Sequence, residues 1–133
     1  MLEYLKLELC TNLSCDSDSW EIKENDGLYD INIRRRIRAR IPSDEPEKPD
    51  QCSGADLTEW LEELEDIHLD EWEKHYTPFD VIYLDGKSWS LKYRYQGEKE
   101  VRITGENAYP GNWEKFIGVM KELDDIVEKN ANI

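Results

Sequence analysis

The 133-residue sequence contains no apolar run approaching the roughly 20 residues of a membrane-spanning helix, and its N-terminus lacks the basic and apolar regions of a signal peptide. A cytoplasmic protein without membrane association is the expectation. Cysteine is scarce and odd in number: Cys10, Cys15 and Cys52 include no C-x-x-C pair, so neither a disulfide framework nor a zinc ribbon is indicated. Plain thiols are expected, with a Cys10 to Cys15 bridge as the alternative. Catalytic signatures are missing too: there is no G-x-S-x-G, no Walker lysine loop, no G-x-G-x-x-G and no H-E-x-x-H. The two histidines have no nucleophile beside them. His68, Glu71 and His75 share a helix face only if that helix is unbroken, and their spacing is no metal signature. No enzyme, cofactor or metal is therefore expected. Positive charge is the minority sign, with 17 Lys and Arg against 31 Asp and Glu, a net charge of −14. Such a field repels nucleic acid and anionic membrane and attracts basic protein surfaces.

The charge is unevenly placed. Residues 42–73 hold thirteen acids against Lys48 alone, whereas residues 28–41 hold five arginines against Asp30. Two candidate surfaces follow. The first is the acidic helical region, with Glu59, Glu62, Glu63, Glu65, Asp66, Asp70, Glu71 and Glu73. It forgoes the Glu-to-Lys pairs, four residues apart, that support helices whose charges serve only solubility. A basic protein partner would compensate for the crowding, including a nucleic-acid-binding protein whose groove this surface fills by imitating phosphates. The bland reading is a well-solvated helix. The second candidate is an arginine ridge, Arg34, Arg36, Arg38 and Arg40, on one side of an extended strand, where alternate side chains lie about 6.5 to 7 Å apart. It follows an anionic chain on one reading; on the other it pairs with Glu3, Glu8 and Glu21 or with the acidic helix.

The elements are legible from periodicity. Leu5, Leu7 and Leu9 alternate with polar residues in a first strand. Trp20 and Ile22 mark a second, Asn25-Asp26-Gly27 a hairpin turn, and Leu28 to Ile41 a long third strand with Arg35 out of phase. Residues 42–52 contain three prolines and read as an exposed loop. Ser53 with Asp56 has capping-box spacing, and Leu57, Trp60, Leu61, Leu64 and Ile67 follow at helical spacing. A break near His68-Leu69 and a second short helix through Trp72 to Tyr76 are expected. Phe79 to Leu84 reads as a strand. Trp89, Leu91, Tyr93 and Tyr95 alternate in the next, a Gln96-Gly97 turn follows, and Val101 and Ile103 supply the return. Gly105 to Asn112 then redirects the chain into a helix carrying Trp113, Phe116, Ile117, Met120, Leu123 and Val127. The expectation is one α+β domain over 1–133: an antiparallel sheet of about six strands, ordered βββ-αα-βββ-α, with helices on one face. The 105–113 turn is the best place for a small ligand, since Asn107 and Asn112 supply amides and Tyr109 and Trp113 aromatic walls at a helix start. Conformational need for Gly105 and Gly111, and Pro110 as a helix-starting residue, explain the same stretch structurally.

Asp85-Gly86, Trp89-Ser90-Leu91, Tyr95, Gly97 and the run Gly105-Glu106-Asn107-Ala108-Tyr109-Pro110-Gly111-Asn112-Trp113 resemble a group of small bacterial domains, mostly from Gram-positive bacteria and their mobile elements. Their C-terminal half reads D-G-x-x-W-x-L, a glycine turn, G-x-N-x-Y-P and an amphipathic helix; Glu106 departs from the small polar residue expected there. The resemblance covers about half the chain and brings no activity. A non-catalytic protein-interaction domain is expected, in one form a mobile-element inhibitor of the anti-CRISPR or nucleic-acid-mimic kind. The alternative is a ligand-binding or enzymatic domain using the 105–113 turn.

Overall fold

Alternation along the strands becomes a seven-stranded sheet in a computed structural model, which describes residues 2–11, 17–34, 50–76, 87–106 and 108–131. The strands are β1 (Leu2–Thr11), β2 (Ser17–Asn25), β3 (Leu28–Arg34), β4 (Asp50–Ser53), β5 (His75–Tyr76), β6 (Lys87–Tyr95) and β7 (Val101–Glu106). Two α-helices, α1 (Thr58–Glu65) and α2 (Trp113–Ala131), complete an α+β architecture. The spatial order is β4-β3-β2-β1-β6-β7-β5, so the first strand lies at the centre, with β2, β3 and β4 on one side and the β6–β7 hairpin and β5 on the other. All neighbours are antiparallel except β5 and β7.

The hairpin between β2 and β3 turns on two residues, because Asn25 pairs with Leu28. Asp26 (φ 52°) and Gly27 (φ 84°) both take the left-handed backbone that such a turn needs, as the Asp-Gly pair implies.

Four expectations need correction. β4 occupies the end of the stretch read as an exposed loop, and its Cys52 is buried against α2's side of the sheet. The second short helix is a single 3-10 turn, Leu69–Glu71: His68 adopts φ 60° and ψ 59°, which ends helical propagation, and Trp72 is already extended at ψ 145°. The chain then runs along the sheet edge as β5, parallel to β7, with the Thr104 N–H donating to the Lys74 carbonyl at 3.0 Å. Among the described residues the count is therefore seven strands and two α-helices, against an expectation of about six and three. Within the long third strand, β3 is described to Arg34; residues 35–41 and the strand read at Phe79 to Leu84 lie outside the described residues.

Both helices cover the face that carries Leu5, Leu7, Trp20, Ile22, Tyr29, Ile31, Trp89, Leu91 and Ile103, all buried. From α1 come Trp60 and Leu64, and from α2 Phe116, Val119, Met120 and Leu123. Full burial of each such side chain contributes roughly 1.5–3 kcal/mol of transfer free energy. An aromatic core must also satisfy its indole N–H groups. Trp20 donates to Asp124 Oδ1 and Trp60 to the Val119 carbonyl, both at 2.8 Å; Trp72 donates to Asn112 Oδ1 and Trp89 to the Ala108 carbonyl, both at 2.9 Å. These bonds tie α1 to α2, α2 to β2, the Trp72 segment to the start of α2, and β6 to the turn before α2. Cys10 and Cys52 are thiols, and Cys15 lies outside the described residues. Among the described residues no helix is long and apolar enough to cross a membrane.

Candidate interaction surfaces

The acidic surface is built by the inward demands of α1. Leu57, Trp60, Leu64 and Ile67 must face the sheet, which leaves Glu59, Glu62, Glu63, Glu65 and Asp66 pointing to water. Ser53 Oγ accepts the Asp56 N–H at 3.1 Å, as its spacing implies, but it closes the turn before α1 rather than capping the helix, which starts at Thr58. The 3-10 turn buries Leu69 and the extended segment Trp72, exposing Asp70, Glu71 and Glu73. Every proposed acidic residue is thus exposed, and among the described residues none of them forms an ion pair.

Packing of α1 against α2 extends this surface in a way the sequence did not reveal. Glu122 of α2 lies against Glu63 of α1, and the hydrogen bond between their carboxyl groups is the main reason Glu63 holds its proton above the ordinary carboxylate range; Asp66 adds to the effect. Two carboxylates can share a hydrogen bond only if one keeps a proton, so the pair records how crowded the negative charge is. Residues 56–74 and 113–131 together carry fourteen acids against four lysines. One of these acids, Asp124, turns inward to Trp20.

The 105–113 turn is a packing device. A Cβ on Gly105 would fall onto the Trp89 indole ring and within 2.8 Å of the Ala108 carbonyl, so glycine is required there by close approach; its φ is not left-handed. Gly111 has neither a left-handed φ nor a close neighbour, which removes the conformational need assigned to it. Asn112 donates to the Ile67 carbonyl at 2.8 Å while accepting from Trp72, so both ends of its amide are engaged within the protein. Tyr109 stacks over Trp89 at 6.4 Å and packs on Trp113 at 5.0 Å. The aromatic walls therefore contact one another, and Asn107 lies outside the described residues.

Of the arginine ridge, Arg34 is exposed at the end of β3, while Arg36, Arg38 and Arg40 lie outside the described residues. The three acids suggested as its internal partners are engaged elsewhere: Glu3 with Arg94 at 3.0 Å, Glu8 with Lys6 at 3.1 Å, and Glu21 with the Tyr4 hydroxyl at 3.0 Å. His68, Glu71 and His75 fall in a left-handed residue, a 3-10 turn and a strand, and among the described residues no cluster suits a metal ion. No known protein-family model matches the chain, and no curated protein does. Function has to be read from the surfaces themselves.

Proposed function

We propose that the protein is a non-catalytic interaction domain whose acidic helical layer docks on a basic protein surface. The observation that supports this reading is the layer's unneutralised charge: Glu59, Glu62, Glu63, Glu65, Asp66, Asp70, Glu71 and Glu73 are all exposed, and Glu122 crowds against them. Such an arrangement raises the free energy of the isolated protein and lowers it when Lys and Arg side chains of a partner approach. The packed core sets the backbone positions from which these side chains project, so the acids share one side of the molecule. In its most specific form the domain is a mobile-element inhibitor, of the anti-CRISPR kind, that occupies the groove of a nucleic-acid-binding protein.

Affinity capture with the intact protein at low salt tests this. The expected result is a basic partner released by rising salt and by added duplex DNA, and lost when Glu62, Glu63 and Asp66 are all replaced by Lys, with at least a ~100-fold fall in affinity and unchanged folding. Capture that survives the triple replacement would remove the helical layer from the interaction. The competing reading, a ligand site at the 105–113 turn, is weakened by the engagement of Asn112 with Trp72 and Ile67.

A further inference from the structure

The face of the sheet opposite the helices has a different electrostatic character. On β1, β6 and β7 three acids, Glu3, Glu8 and Glu106, stand against four cations of that face, Lys6, Lys92, Arg94 and Arg102, in contrast to the acidic helical layer. Register aligns three of the cations in one row, because Lys6 lies opposite Lys92 and Lys92 opposite Arg102. Neighbouring strands are about 4.8 Å apart, so the row spans about 10 Å of backbone. Like charges directly opposite each other destabilise a sheet. Glu8 relieves Lys6, but among the described residues neither Lys92 nor Arg102 has an acidic partner. The next row along is Glu8, Ser90, Thr104 and His75, with His75 Nδ1 2.7 Å from Thr104 Oγ1. Between the two rows lies an open depression of about 270 Å³, lined by Lys6, Glu8, Ser90, Lys92, Arg102 and Thr104.

We propose that this depression binds a small phosphate-bearing molecule. The two unpaired cations match the charge of a phosphate monoester dianion, and the Ser90 and Thr104 hydroxyls are donors for its remaining oxygens. Glu8 keeps the anion toward the Lys92 and Arg102 side. The volume lies just below the roughly 300 Å³ at which pockets for drug-sized ligands begin, which limits the organic part to a small group. The free protein bears the repulsion of the row and the ligand removes it, so binding is linked to stability. The site is independent of the acidic helical layer, which lies on the other side of the sheet.

The test is titration of the whole protein with inorganic phosphate at pH 7.5, against sodium chloride at equal ionic strength, read by amide NMR shifts and thermal midpoint. Saturable shifts confined to β1, β6 and β7, with a rise in midpoint beyond the chloride control, are expected. Lys92→Gln and Arg102→Gln should each weaken binding at least tenfold, while Lys23→Gln on the same face leaves it unchanged. Lys92→Gln should also raise the midpoint measured without phosphate, which separates loss of binding from damage to the fold. Shifts that follow ionic strength alone, or an identical titration in the Lys92→Gln, Arg102→Gln double variant, would overturn the site. Vesicles containing phosphatidic acid provide the second arm: no co-sedimentation is expected, and binding to vesicles without any response to free phosphate would refute the small-molecule assignment.

Discussion

Along β1, β6 and β7, Leu5, Leu7, Trp89, Leu91 and Ile103 lie under the helices, while the residues between them, Lys6, Glu8, Ser90, Lys92, Arg102 and Thr104, form the opposite face. The two faces share every backbone hydrogen bond and differ in what their side chains do. On the helix side, stability comes from burial and from indole N–H groups that each need one specific acceptor. On the opposite side the close neighbours include three cations in a row, an arrangement that works against folding and leaves charge available to a ligand. A side chain on one face should thus be costly to change, and its sequence neighbour cheap or even favourable.

The largest expected effect is at Trp72, whose ring packs edge-on against Trp89 at 6.1 Å and Phe116 at 5.1 Å while its N–H holds Asn112. Trp72→Ala should cost about 3–5 kcal/mol in urea denaturation. A cost like that of an open-face substitution, within about 0.5 kcal/mol, would break the comparison. Gly105→Ala comes next: the new methyl collides with the Trp89 ring, so the indole must shift and loosen its bond to Ala108, and a loss of about 1–3 kcal/mol is expected. The same substitution at Gly111, which has open space around it, should change stability little and sharpens the contrast within one turn.

Tyrosine ionisation compares the two faces with one probe. Tyr95, on the helix side, is pushed up to about 12, first by burial and then by Glu65; Tyr4, on the open side, is also pushed up to about 12, by burial and by its hydrogen bond to Glu21. The folded protein holds both phenolic protons more tightly than the unfolded chain, whose tyrosines ionise near 10. Their contribution to stability is therefore complete below about pH 10 and disappears as pH rises through 12. In an alkaline titration followed by absorbance near 295 nm, Glu21→Gln should lower the Tyr4 midpoint without moving that of Tyr95. Equal movement of both would mean that the faces are not electrically separate.

How much of this could be read from residue order depends on range. The Asp26-Gly27 turn, the alternation in β1, β2 and β6, and the apolar stripe of α2 are local signals, and each survives in the fold. Strand order is not local: β1 pairs with β6, from Leu2 with Tyr95 to Thr11 with Lys87, and nothing in either strand names the other. β4 and β5, with four and two residues, are too short to show a period. The acidic character of residues 56–73 was plain, but its union with Glu122 depends on how α1 crosses α2. The row of Lys6, Lys92 and Arg102 was likewise hidden, because its members become neighbours only once the register of three strands is set.

The smallest effect is expected where the helical layer meets its own crowding. Glu63 holds a proton above the usual carboxylate range chiefly through its hydrogen bond to Glu122, with lesser contributions from burial, from the Glu122 charge and from Asp66. Because the folded state binds this proton more tightly than the unfolded chain, its contribution to stability is complete below the ordinary carboxylate value and is lost as pH rises through the raised one. Thermal midpoints should accordingly rise as the solution is acidified from pH 7.5 to 5. Replacing Glu122 by Gln supplies a neutral amide that donates to Glu63 as a carboxylate, so the proton is no longer needed. That variant should melt slightly higher at pH 7.5 and show a flatter pH profile. An unchanged profile would mean that Glu63 and Glu122 do not meet in solution, and the acidic surface would then be confined to α1 and the turn that follows it.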